Sequence, residues 1–125
     1  MCPSPTATSD AVSTDRDMPA VRAKGLCKTY GRGATAVHAL DDLTFDIPQG
    51  EFVVMLGPSG SGKTTMLNVL GALDAPTGGT LEVMGKARSD MDEAAQTRYR
   101  LDTVGFVFQF FNLVPTLTAL ENVAL

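Results

Sequence analysis

Eight consecutive residues near the middle of the chain form a pattern with a definite chemistry. They are Gly57, Pro58, Ser59, Gly60, Ser61, Gly62, Lys63 and Thr64, spaced as G-x-x-x-x-G-K-[ST]. Each part has a physical task toward phosphate. The glycines take backbone angles closed to other residues and let the main chain approach an anion. Consecutive N–H groups then converge on one concavity. A helix behind the loop adds the positive end of its dipole and its unpaired N–H groups. Lys63 brings a full charge to β- and γ-phosphate oxygens, and the Thr64 hydroxyl is placed to ligate Mg²⁺. Thr65 follows, with a hydroxyl and a backbone donor for an α-phosphate. The chemistry is capture of a nucleoside triphosphate, with MgATP as the leading candidate. A chance glycine turn that merely caps a helix is the bland alternative for the string taken alone.

The elements around the string favour the first reading. Residues 51–56 contain the apolar run Phe52, Val53, Val54, Met55 and Leu56, which suits a strand buried on both faces. After the loop, Met66, Val69, Leu70 and Leu73 recur at helical spacing, predicting an amphipathic helix over residues 63–73. The order is strand, glycine loop, helix, as phosphate capture requires. Upstream, residues 20–30 predict a strand with Gly25 at a bulge. Residues 31–33 predict a turn, and Leu43, Phe45 and Ile47 alternate as in a half-buried strand. Downstream, residues 75–79 read as a loop and residues 80–84 as a short strand. A Ser89…Asp92 capping pattern opens a polar helix over residues 89–100. Residues 104–108 read as an apolar strand, and Thr118…Glu121 is a capping box that starts another helix.

Composition bounds the rest. The 125 residues suffice for one small domain, and 44% apolar with 19% charged residues is ordinary for a globular fold. No apolar run reaches membrane-spanning length. The formal net charge of -4 gives no electrostatic reason to expect nucleic acid as a partner. Attraction for a polyanionic nucleotide must then come from a local site. Cys2 and Cys27 are too few for a disulfide framework or a metal site, and both are read as reduced thiols. Residues 1–18 are rich in Ser, Thr, Pro, Ala and Asp and read as a disordered tail, with Met18 as an alternative start. His38, the one histidine, reads as a surface or strand-start residue. Asp90, Asp92 and Glu93 read as a solvated helix face.

The fuller string GPSGSGKTT and its surroundings resemble the ATPase subunits of ATP-binding cassette (ABC) transporters, from about Val21 to Leu125. Lys28-Thr29-Tyr30 sits where that family keeps an aromatic that stacks on adenine. An edge-strand aromatic packed on the core is the alternative for Tyr30. Leu40-Asp41-Asp42-Leu43 through Pro48-Gln49-Gly50-Glu51 is similar to the family's lead-in to the loop. Val104-Gly105-Phe106-Val107-Phe108-Gln109 resembles its Q-loop strand, and the run through Phe111-Asn112-Leu113 to Leu120-Glu121-Asn122-Val123 is similar too. Gly71-Ala72-Leu73-Asp74 with Pro76, Thr77 and Gly79 most resembles the lipoprotein-releasing and macrolide-export branch.

The resemblance implies an α/β fold: a P-loop NTPase core, the N-terminal part of an ABC ATPase domain over residues 19–125, with an antiparallel β subdomain. It implies ATP and Mg²⁺ as cofactors. Lys63 and Gln109 would be the catalytic residues, with Thr64 and Gln109 toward the metal; a solvent-facing loop glutamine is the alternative for Gln109. Partners would be a transmembrane permease subunit, met by the apolar segment 110–120, and a second ATPase subunit in a two-fold dimer. Phe110 and Phe111 are equally read as core residues. The location would be cytoplasmic, peripheral on the inner face of the cell membrane. The family's Leu-Ser-Gly-Gly-Gln signature, Asp-Glu strand and switch histidine do not occur in this sequence. The chain is therefore expected to be truncated after the Q-loop, binding ATP without efficient hydrolysis. Two other readings stand beside this one: a small nucleotide kinase of guanylate-kinase type, and a non-catalytic nucleotide-binding fragment.

Overall fold

The computed structural model describes residues 18–125. The tail expected over residues 1–18 falls, except for Met18, outside the described residues. Strand β1, Val21–Tyr30, pairs antiparallel with β2, Val37–Ile47, on one side and with β3, Gly78–Val83, on the other. The short strand β4, Lys86–Ala87, adds outside β3, so the sheet order is β2-β1-β3-β4. This is the antiparallel β subdomain expected.

The sequence of β1 explains its shape. Gly25 has φ +56°, and the register to β2 shifts between Ala23 and Leu26. The bulge breaks the two-residue alternation, so Leu26, Cys27 and Lys28 are all buried in succession. β3 crosses β1 at this point, and only a glycine fits there. Gly79 has φ +79°, and a Cβ on it would collide with the Gly25 carbonyl. Cys27 is disulfide-bonded, which corrects the free thiol expected. Sequence separation alone does not decide which sulfurs meet in a fold.

Helix α1, Lys63–Leu70, buries Met66 and Val69 against Ala23, Leu26, Leu40, Leu81 and Val83. It stops short of Leu73. The Gly71 N–H donates to the Leu67 carbonyl at 2.9 Å, and Ala72 then turns left-handed with φ +60°. Helix α2, Glu93–Asp102, starts later than Ser89. Asp92 is its N-cap, accepting from the Ala95 N–H at 2.7 Å, while Ser89 lies in a 3₁₀ turn, Arg88–Asp90. Asp90, Asp92 and Glu93 are exposed, as a solvated face requires. Two bonds moor α2 to the end of α1. The Tyr99 hydroxyl donates to the Leu70 carbonyl at 2.8 Å, and Arg100 Nη1 to the Ala72 carbonyl at 2.9 Å. Arg88 Nε is buried without a hydrogen-bond partner, but its guanidinium lies 5.4 Å from the Tyr99 ring centroid, a cation–π contact.

Two expected strands are not formed. Residues 51–56 run outside the sheet with their side chains in solvent; Phe52 is 91% and Leu56 87% exposed. Residues 104–108 likewise join no ladder. Among the described residues neither segment has a strand neighbour, and an apolar run without one has no backbone partners to hold it as a strand. The second segment is anchored in part: Val104 packs on the core, and the Phe106 ring covers Gly71, where a Cβ would collide with it. Phe106 and Phe108 stack at 5.6 Å. Phe110 and Phe111 are exposed and not core residues. The capping box is present. In helix α3, Ala119–Ala124, the Thr118 N–H donates to Glu121 Oε2 at 2.8 Å, and the Glu121 N–H to Thr118 Oγ1 at 3.3 Å.

Candidate functional site

The glycine loop is closed on itself by its own lysine. Lys63 Nζ donates to the Gly57 carbonyl at 2.6 Å, the Pro58 carbonyl at 2.7 Å and Ser61 Oγ at 3.2 Å. The Ser61 N–H donates to the Pro58 carbonyl at 3.2 Å, tightening the same ring. The ammonium therefore sits at the neck of the loop, with all three of its donors turned into it.

Gly62 joins loop to helix. It is the N-cap of α1 with φ +94°, and a Cβ there would collide with the Ala39 carbonyl of β2. No side chain caps α1, so its first-turn N–H groups have no side-chain acceptor. Unpaired donors, a helix dipole and a fixed ammonium at one point suit an anion.

A cavity of about 600 Å³ opens before this point. Ser59, Gly60, Gly62, Lys63, Thr64 and Thr65 form one wall; Tyr30, Val37, His38 and Ala39 form the other. Strand register brings the second wall together, since Tyr30 pairs with Val37 and Thr29 with His38. The Thr29 hydroxyl and His38 Nδ1 lie 3.0 Å apart. The Tyr30 ring is 41% exposed, and its hydroxyl donates to Asp74 Oδ2 at 2.7 Å. A larger groove of about 670 Å³ lies behind the loop, between the β2 side chains Leu43, Phe45 and Ile47 and the unpaired run 53–56. This groove also borders Gly57, Ser61 and Lys63 of the loop, but the Thr64 and Thr65 hydroxyls and the N-terminal turn of α1 face the smaller cavity, which is where the phosphate-type chemistry is sought.

The structure thus gathers Tyr30, the glycine loop, Thr64 and Thr65 at one place. It does not bring Gln109 there. Gln109 is exposed in the stretch after residue 104, outside the cavity wall and without a hydrogen bond to the loop. Val37 and Ala39 were not singled out from the sequence, nor was His38 as a wall residue. The signal that would have found them is the β1–β2 register, which is not written in any local string.

A sequence model of the family described as ABC transporter matches residues 40–124. The chain belongs to the ABC transporter family. It is an ABC-transporter-type ATP-binding domain, similar to several family members. An uncharacterised ABC transporter ATP-binding protein, MJ0796 of Methanocaldococcus jannaschii, is 49% identical over 105 residues, covering 84% of this chain and 45% of that protein. The lipoprotein-releasing system ATP-binding protein LolD 2 of Rhodospirillum rubrum is 48% identical, covering 85% of this chain and 46% of that protein. The macrolide export ATP-binding/permease protein MacB of Brucella abortus is 50% identical, covering 84% of this chain and 16% of that protein. A solved dimeric structure of the ATP-binding cassette MJ0796 in a post-hydrolysis state, bound to ADP and Pi, superposes with a TM-score of 0.78. It is 50% identical, covering 84% of this chain and 45% of that one. The chain spans less than half the length of these relatives. Neither the matched family nor these relatives lend support to a guanylate-kinase reading.

Proposed function

We propose that residues 19–125 are the N-terminal portion of the ATP-binding domain of a transporter motor, of the lipoprotein-release or macrolide-export type. The carrying observation is the Lys63 ammonium, held at the neck of a glycine loop on an uncapped helix, with Tyr30 across the cavity. In this reading Tyr30 stacks on the adenine. The backbone of Gly57, Pro58, Ser59, Gly60, Ser61 and Gly62 wraps the phosphates. Lys63 exchanges its carbonyl partners for β- and γ-phosphate oxygens. Thr65 reaches the α-phosphate.

Among the described residues no group of three His, Cys, Asp or Glu side chains is placed to hold a metal. The Thr64 hydroxyl, exposed on the cavity wall, fits a magnesium ion delivered with the nucleotide rather than one held by the protein alone. When bound, Mg²⁺ supplies charge neutralisation at the β- and γ-oxygens. Gln109, exposed outside the cavity wall, would supply its amide oxygen to the metal or to a water if its segment were brought to the site.

Phe110, Phe111 and Leu113 are 76%, 91% and 65% exposed, which favours a protein partner on this segment. We assign it to a transmembrane permease subunit, and we assign the open face of the cavity to a second ATPase subunit. No helix of the described residues is long and apolar enough to cross a membrane. The proposed location is therefore cytoplasmic, on the inner membrane face, held by that permease. The 125 residues contain no Leu-Ser-Gly-Gly-Gln signature, so on their own they are expected to bind nucleotide without steady turnover.

Parallel titrations with MgATP and GMP, followed by a phosphate-release assay, test this reading. Saturable ATP binding without GMP binding or steady phosphate release is expected. Preference for GMP would overturn the site assignment.

A further inference from the structure

The Tyr30 hydroxyl ends in a small polar cluster outside the glycine loop. It donates to Asp74 Oδ2 at 2.7 Å. Asp74 Oδ1 accepts Lys28 Nζ at 2.6 Å and the Ala75 N–H at 2.8 Å. Lys28 Nζ also donates to the Ala75 carbonyl at 2.7 Å, and it stands 4.9 Å from the centroid of the Tyr30 ring.

Each member is fixed by a different element. Lys28 is buried in β1, Tyr30 is the last residue of that strand, and Asp74 lies in the loop that follows α1. Asp74 is thus held from two sides before Tyr30 reaches it. Tyr30 is 41% exposed, and the hydrogen bond of its hydroxyl to Asp74 holds the ring's far end.

We propose that Asp74, braced by Lys28, is a positioning residue that sets the Tyr30 ring for stacking on the nucleotide base. This rests on the reading of Tyr30 as the base-stacking wall. Two consequences follow from the geometry. Lys28 covers one face of the ring, so a base has only the opposite face to stack on. The loop after α1 holds the base wall while the N-terminus of α1 carries the glycine loop. One helix therefore fixes the distance between the base and phosphate halves of the site.

The test compares the affinity of the full 125-residue chain for MgATP and for inorganic tripolyphosphate, which has no base. Tyr30→Ala should weaken ATP about tenfold, the scale of one lost base–aromatic stack, and leave tripolyphosphate within about twofold. Tyr30→Phe, which keeps the ring and the Lys28–Asp74 pair, should weaken ATP about threefold to tenfold through the lost hydroxyl bond. Asp74→Asn should do the same, and Tyr30→Phe with Asp74→Asn should be no worse than either alone. Tripolyphosphate binding should stay within about twofold throughout.

If Tyr30→Ala leaves the ratio of the two affinities unchanged, base stacking fails and the positioning role goes with it. If Tyr30→Ala lowers the ratio but Tyr30→Phe and Asp74→Asn do not, stacking stands and the positioning role alone is overturned. Equal losses for both ligands in Asp74→Asn, with Tyr30→Phe silent, would show Asp74 to be merely structural.

Discussion

Lys63 and Asp74 are each held by short bonds that can be removed one at a time. Lys63 directs its donors to the Gly57 and Pro58 carbonyls and Ser61 Oγ, so the loop is already shaped by the charge that would meet phosphate. Asp74 is a stability question as well as a site question. Burial pushes its carboxyl up, but hydrogen bonds from Lys28, Tyr30 and the Ala75 N–H, together with the Lys28 charge, outweigh that and hold it below its ordinary value. A carboxyl lowered in the folded state stabilises the fold at pH above its ordinary pKa. That contribution fades as pH falls through the lowered, folded value. Asp74→Asn should therefore cost more at about pH 7, where the carboxylate is charged, than at a pH below the lowered folded value, where the native carboxyl is also neutral; solvent screening of this partly exposed pair keeps the difference modest. Urea unfolding of both chains at the two pH values measures this. An equal cost at both would show that the ion pair is not the source.

At the scale of elements, the join between the glycine loop and α1 is the least tolerant point. Gly62→Ala imposes a left-handed alanine, costing about 1–2 kcal/mol, and drives a Cβ into the Ala39 carbonyl. Loss of ATP affinity by at least about tenfold is expected, with far-UV circular dichroism checking that the fold survives. Asp92→Ala removes the cap of α2 and should destabilise the chain by about 1 kcal/mol in the same unfolding assay, leaving ATP affinity unchanged. The elements that could be read from the sequence are those fixed by a few neighbouring residues. The Gly25 bulge, the Thr118…Glu121 box and the Gly57–Thr64 string are all of this kind. The misreadings have local causes as well. Ser89 and Asp92 both offer caps, and only the bond from Ala95 decides between them. Leu73 keeps the helical spacing, yet Ala72 has already left the helix. The second cavity wall and the Asp74 cluster were hidden because they come from strand register and from partners 44 and 46 residues apart in sequence.

At the scale of the whole molecule, the described residues form a half-enclosed core. α1 and the sheet bury Leu26 and Val69 fully, while Val53 and Leu56 stand largely exposed along an apolar groove and Phe52 lies in solvent beside it. An apolar run reads as a buried strand from sequence because burial on both faces is what such composition serves. The strand itself forms only when neighbours supply hydrogen bonds, and those are not among the described residues. The isolated chain should accordingly bind a hydrophobic dye and self-associate as concentration rises. Sedimentation velocity across a concentration series checks this, and a monomer at every concentration would contradict it. In the proposed reading, first contact with nucleotide needs only the glycine loop, α1 and Tyr30. The most direct measurement is titration of the 125-residue chain and its Lys63→Ala variant with fluorescent ATP and Mg²⁺. The account predicts saturable binding by the first and none by the second; equal affinity of the two would contradict it.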